Sequence, residues 1–188
     1  MEPLLLLIGA ALLAIAVVFT VRMYNDFVQR RLRTDEAWAQ IGVQLKRRHD
    51  LVPNLVAAVR GYMGFEQDVL TRLTEARANA VAAGARGPVE AAAAEGALTG
   101  ALRSLFAVVE NYPDLKASAN VAALQDQLAT TENQIGVARD AYNGAVREYN
   151  TAITTFPARL MARSMGFTPR GFFEAEAEAG EIPSVQLR

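Results

Sequence analysis

The run VAALQDQLATTENQIGVARDAYNGAVREYNTAITTF, residues 121–156, carries the most regular pattern in this 188-residue chain. Val121, Leu124, Leu128, Thr131, Ile135, Ala138, Tyr142, Ala145, Tyr149, Ile153 and Phe156 follow one another in steps of three and four. That spacing returns side chains to one face of an α-helix; a strand alternates its faces residue by residue. The pattern predicts one helix of about 35 residues, roughly 50 Å long. Ala138 and Ala145 are narrow members of the stripe and call for close approach of a neighbouring helix.

Working outward, the same period recurs. Tyr24, Phe27, Val28, Leu32, Trp38, Ile41 and Leu45 predict a helix running to about Arg48. Leu51, Leu55, Val59, Tyr62, Glu66, Val69, Leu73, Ala76 and Ala80 form a second stripe, broken only by the charge of Glu66. Gly84-Ala-Arg-Gly-Pro88 interrupts it. Pro88 suits a first helical position after a Gly87 cap, with Glu90 in the first turn complementing the helix dipole. A third, alanine-rich helix extends to about Glu110 with Leu98, Leu102, Leu105, Phe106 and Val109 as its apolar face. Residues 111–118, NYPDLKAS, read as a connector. No segment alternates with period two for long enough to be a strand.

A single helix cannot bury its own stripe, so these elements predict an all-α fold, an antiparallel four-helix bundle with long helices. Two alternatives stay open at this level: Pro53 only kinks one very long helix, or the seam continues between protomers as a coiled coil.

Ahead of the bundle, Pro3 to Val21 (PLLLLIGAALLAIAVVFTV) has no charge and is almost wholly apolar. A helix of nineteen residues covers roughly 28 Å, about the hydrocarbon thickness of a bilayer. A cleaved signal peptide would carry a basic leading region, whereas Met1-Glu2-Pro3 carries an acid. The expectation is a retained transmembrane anchor at 1–22, a bundle at 23–170 and a mobile acidic tail at 171–188. Arg22, Arg30, Arg31 and Arg33 follow the apolar run and only Glu2 precedes it. The positive-inside bias then puts the short N-terminus outside and the bundle on the cytoplasmic face of a bacterial inner membrane.

The charge balance, 19 basic against 20 acidic residues, offers no concentrated basic face and so no nucleic-acid partner. There is no cysteine, which excludes disulfides, thiolate catalysis and sulfur-ligated metals. The one histidine lies in LKRRHDLVPNL, residues 45–55. Lys46 to Arg48 suit the negative end of a helix dipole, Asp50 suits an N-cap, and Pro53 is tolerated in a first turn, so His49 is expected at a corner between helices. A metal-binding HD site needs several convergent ligands, and no second histidine exists. Glu66 is the one acid on an apolar stripe, where a facing Arg or Tyr is the ordinary partner. No phosphate-binding glycine loop and no nucleophile elbow occurs. Neither catalytic residues nor cofactor or metal ligands are expected.

Structural roles are expected instead for Trp38, His49, Asp50, Pro53 and Asn54, and for the repeated pairs Tyr142-Asn143 and Tyr149-Asn150. These pairs are seven apart, and their polar groups need partners from one another or from the backbone. Basic and large apolar residues mix in FPARLMARSMGF, residues 156–167, making Arg159, Arg163, Phe167 and Arg170 candidates for a membrane interface, with capping of the bundle's open end as the alternative.

The blocks YND (24–26), EAWAQIGVQLKRRHDLVPNLVAAVRGYMGFE (36–66) and YPDLKASANVAALQDQLATTENQIGVARDAYNGAVREYNTAITTFP (112–157), followed by GF and FFE, resemble the LemA family of bacterial membrane proteins. The resemblance implies a transmembrane helix followed by a four-helix bundle. It implies no biochemical activity, only an association with internal membranes and with membrane-associated proteases as gene neighbours. Gly42 stands where relatives commonly have an acid. Gly64-Phe65 precedes Glu66 where relatives often have a histidine, which weakens any metal proposal there. The expected function is a non-enzymatic, membrane-anchored structural or interaction module in contact with the bilayer and an unidentified membrane or membrane-proximal protein. Two other classes compete with it: an oligomeric membrane-shaping scaffold, and a hydrolase or ligand-binding protein with a site near His49 and Glu66.

Overall fold

A computed structural model describes residues 2–61 and 66–174. It is all-helical among those residues, with six helices: α1 (Glu2–Arg60), α2 (Gln67–Gly84), α3 (Pro88–Val109), α4 (Pro113–Lys116), α5 (Ala119–Thr154) and α6 (Ala158–Ala162). The chain divides into two compact units. An anchor unit holds Met1–Ala37 with Gly144–Arg170; a bundle unit holds Trp38–Asn143 with Gly171–Arg188.

In the bundle unit, the second half of α1, α2, α3 and the first half of α5 pack as an antiparallel bundle. Leu55 and Val59 of α1, Leu73 and Ala80 of α2, Leu98 and Leu105 of α3, Leu115 of α4 and Val121 and Leu128 of α5 make one core. The apolar stripes read from the sequence are the faces that meet there. Gly87 caps α3 with φ at 127°, a backbone conformation that side-chain-bearing residues rarely adopt, and Pro88 follows at the first helical position. α3 is long and apolar enough to cross a membrane, yet Ala91, Ala92, Leu98, Leu102 and Leu105 are buried in the bundle, so it is a core helix.

The corner expected at His49 does not form. α1 continues unbroken to Arg60 with Pro53 inside it, and α2 begins at Gln67. A proline in a helix interior costs about 3 kcal/mol, partly because it cannot donate to the carbonyl four residues back. Here that carbonyl belongs to His49, and Arg77 of α2 supplies the missing donor, its Nε 2.6 Å from the His49 oxygen. Continuing the helix also buries Val52, Leu55 and Val59 almost completely. Each such side chain contributes roughly 1.5–3 kcal/mol. Burial outweighs the defect, and Asp50 is an exposed mid-helix residue, not a cap. Its carboxyl is held below the usual range by the hydrogen bond from Lys46 Nζ at 2.7 Å.

In the anchor unit, residues 2–19 of α1 are exposed throughout. Beyond them Phe27 packs with Tyr149 and Ile153 of α5, Ala162 of α6 and Phe167. Phe167 meets the rings of Phe27 and Tyr24 edge-on, at 5.2 and 5.6 Å between centroids. Arg30 pairs with Asp26 at 2.8 Å and reaches Glu148 of α5 at 3.8 Å. α5 ends at Thr154, so Phe156, read as the last member of its stripe, falls in the following turn and is 83% exposed.

Candidate functional site

The most polar buried cluster lies in the bundle unit, where α1, α3 and α5 meet. Glu95 of α3 is 5% exposed and Arg48 of α1 only 3%. Both sit on faces that the helices turn inward: Glu95 continues the stripe of Ala92, Leu98 and Leu102 by steps of three and four. His49 Nε2 lies 2.6 Å from Glu95 Oε1. Arg48 Nη1 lies 3.4 Å from Glu95 Oε2 and 3.2 Å from Glu132 Oε2, while Arg48 Nη2 donates to the Thr99 hydroxyl. Thr99 in turn donates to the Glu95 carbonyl at 3.0 Å. Every charged group buried here is therefore engaged with another, as burial of charge requires. The cluster borders an open cavity of about 430 Å³ that Arg103 and Arg139 also line.

Chemically this is a carboxylate held between an imidazole and a guanidinium. The nearest hydroxyl, Thr99, is occupied at both its donor and acceptor sides. Among the described residues, no three His, Asp or Glu side chains converge as metal ligands would. Sequence reading paired His49 with Glu66; the structure pairs it with Glu95. Glu66 lies just ahead of α2, half-buried, with its carbonyl accepting from the Val69 and Leu70 amides at 3.1 and 3.4 Å. It belongs to no helical stripe. Glu95 was missed because the α3 stripe was begun at Leu98; one step of three back would have found it.

The tyrosine–asparagine pairs build a second feature, a strap of extended backbone laid on α5. In the anchor unit Tyr149 Oη donates to the Thr168 carbonyl at 3.0 Å. Asn150 closes a two-bond ring with Arg170, donating to its carbonyl and accepting from its amide, both at 2.9 Å. The same device recurs in the bundle unit. Tyr142 Oη donates to the Gly171 carbonyl at 2.9 Å, and Asn143 brackets Phe173, donating at 3.3 Å and accepting at 2.9 Å. Trp38 lies against the rings of Tyr142 and Phe173 at 5.6 and 5.7 Å. Gly171 is needed there, because a Cβ would come within 2.7 Å of Val89 Cγ2. Residues 171–174, read from the sequence as the start of a mobile tail, are thus fastened; the rest of that tail, 175–188, lies outside the described residues. Burial pushes the Tyr149 hydroxyl above its ordinary range, keeping it a donor.

The remaining candidates separate. Pro53 and Asn54 are exposed on α1. Of the four residues proposed for a membrane interface, Arg159 and Arg163 are exposed. Phe167 is buried in the aromatic cluster, and Arg170 is half-buried, its guanidinium paired with Asp35 and its backbone bonded to Asn150. Phe167 thus serves the aromatic cluster, and Arg170 is an attachment point of the strap.

Residues 37–187 match the family model described as LemA family. The chain is 27% identical over 205 residues to magnetosome protein MamQ 2 of Paramagnetospirillum magneticum, covering 96% of this chain and 75% of that protein. It is 25% identical over 209 residues to magnetosome protein MamQ of Magnetospirillum gryphiswaldense, covering 97% and 76%. Protein LemA of Metamycoplasma hominis is 26% identical over 167 residues, covering 87% and 75%.

Proposed function

The chain belongs to the LemA family, and from that premise we propose that it is a membrane-tethered, non-enzymatic bundle serving as a structural or protein-interaction module. The observation that carries this reading is the run 2–19, apolar apart from Glu2 and exposed over its whole length, continuous with the helix that enters the bundle. Water does not tolerate so long an uncovered apolar helix; a bilayer does. The non-enzymatic part draws support from the His49–Glu95–Arg48–Glu132 cluster, whose charges satisfy one another and hold three helices together. The excess of arginine after the apolar run favours a bundle on the cytoplasmic face of an inner membrane; a link to membrane-protein quality control or envelope maintenance rests on the family's gene-neighbour association alone.

Proximity labelling in intact membranes, with the labelling enzyme fused at the C-terminus, tests this reading. Labelled cytoplasmic faces of a reproducible set of membrane proteins are expected. Labelling confined to the other side of the membrane would reverse the topology, and loss of all membrane neighbours would remove the tether. The enzyme alternative is tested separately, by metal analysis and activity screens on His49→Ala and Glu95→Gln.

A second reading, an oligomeric membrane-shaping scaffold, is favoured by one observation. In the bundle unit Val43 and Val137 stand exposed along a groove lined by Gln40, Gln44 and Ala141. Cross-linking in intact membranes decides it: a ladder of species supports lateral packing, and a monomer alone excludes it.

A further inference from the structure

The anchor unit exposes a second apolar element that neither the transmembrane stretch nor the bundle accounts for. Phe156 is 83% exposed and Leu160 is 70% exposed. They flank the start of α6, whose opposite face is fixed in place: Ala162 is buried and Ala158 half-buried against Phe27, Met23 and Val28 of α1. Ala158 and Ala162 are four apart and face inward together, which turns Arg159, Leu160 and Arg163 outward. The place where α6 docks decides what it meets. Met23 is two residues past Val21, the end of the apolar run, and Phe27 six. At 1.5 Å per residue these levels lie about 3 and 9 Å beyond it along the helix axis. That is the depth of the headgroup and acyl boundary when residues 3–21 span the hydrocarbon.

We propose that the turn and helix at 156–163 form a second, interfacial membrane contact, with Phe156 and Leu160 entering the acyl boundary and Arg159 and Arg163 meeting anionic lipid headgroups. The occupant is the bilayer and not another protein, because α6 packs in one cluster with Met23 and Phe27, two and six residues past the transmembrane stretch. Its composition, large apolar side chains with outward arginines, is that of interfacial anchors, whose cationic heads reach phosphate while their apolar bodies sit deeper. Two contacts on one rigid unit fix the tilt and rotation of α1, which a single span leaves free. The inference rests on the tether reading above, and its test separates the two.

The chain has no cysteine, so single cysteines introduced into the full chain carry an environment-sensitive fluorophore without background. Phe156→Cys, Leu160→Cys, Leu13→Cys within the span, and Val137→Cys on the bundle are labelled and reconstituted into vesicles of phosphatidylcholine with or without phosphatidylglycerol. Lipids bearing a nitroxide either near the headgroup or deep in the acyl chain are the quenchers, used separately. All four positions are exposed, so the label need not disturb packing, and circular dichroism verifies the helices. Position 13 is expected to be quenched by nitroxides placed deep in the acyl chain. Positions 156 and 160 should be quenched by shallow ones, with position 137 unaffected. Arg159→Glu with Arg163→Glu should reduce quenching at 156 in phosphatidylglycerol vesicles and leave position 13 unchanged. Quenching at 13 without quenching at 156 and 160 would overturn the interfacial contact and keep the tether. No quenching at 13 would overturn both. Quenching at 156 that ignores the arginine reversals would remove the headgroup part of the proposal.

Discussion

The repair of Pro53 by Arg77 can be tested as a coupling. Arg77 Nε donates to the His49 carbonyl at 2.6 Å, the same oxygen that a non-proline residue at 53 would serve through its own amide. Arg77→Met removes the donor while keeping most of the stem. A hydrogen bond from a charged donor contributes roughly 1.5–3 kcal/mol, and the half-buried setting argues for the lower end, about 1.5 kcal/mol. With a urea slope of about 2 kcal/mol/M, the midpoint should fall by roughly 0.7 M. Pro53→Ala restores an amide to the carbonyl and removes the ring's clash with the preceding turn, so it should stabilise by about 1 kcal/mol or more. In that background Arg77→Met should cost only about 0.5 kcal/mol, leaving a coupling energy near 1 kcal/mol. The four proteins are unfolded in urea in mild detergent and followed by circular dichroism. If Arg77→Met costs the same in both backgrounds to within about 0.3 kcal/mol, the substitution of one donor for the other is refuted.

Three further outcomes follow from the geometry. Glu95→Ala leaves Arg48 buried with Glu132, at 3.2 Å, in place of two carboxylates, and should destabilise by about 3 kcal/mol in the same urea assay, with Glu95→Gln milder. Gly171→Ala forces a methyl toward Val89 Cγ2, 2.7 Å away, and should cost about 1 kcal/mol, with relief in a Val89→Ala background. Burial raises the Tyr149 hydroxyl above its unfolded value, so folding favours the neutral phenol. That contribution is complete below a pH of about 10 and is lost as pH rises through the folded value; unfolding titrations should show a shallower alkaline loss for Tyr149→Phe.

Much of this architecture is legible in residue spacing. The buried positions of α5 from Val121 to Tyr149 are those the three-and-four pattern picks out, save that Val146 is buried where the pattern has Ala145, and Gly87-Pro88 marks the start of α3 because both residues act through local backbone preference. The corner at His49 was misread for the opposite reason. Lys46, Arg48, Asp50 and Pro53 carry every local sign of a helix boundary. The compensation comes from Arg77, on another helix and invisible to any window around the proline. Glu66 was overrated because its stripe was carried past the end of α1 at Arg60. Glu95 was overlooked because a glutamate amid alanines reads as surface until its place on the inward face is counted. Phe167 and Arg170 looked like interface residues by composition alone; Phe167 packs against Phe27 and Tyr24, and the strap that holds Arg170 depends on backbone groups, which side-chain patterns do not display.

The tether itself is tested most directly by alkaline carbonate extraction of bacterial membranes containing the full chain. Retention in the membrane pellet, and release when Leu6 and Leu12 within the apolar run are both replaced by arginine, is the predicted result. Recovery of the unmodified chain in the soluble fraction would contradict the account at its root.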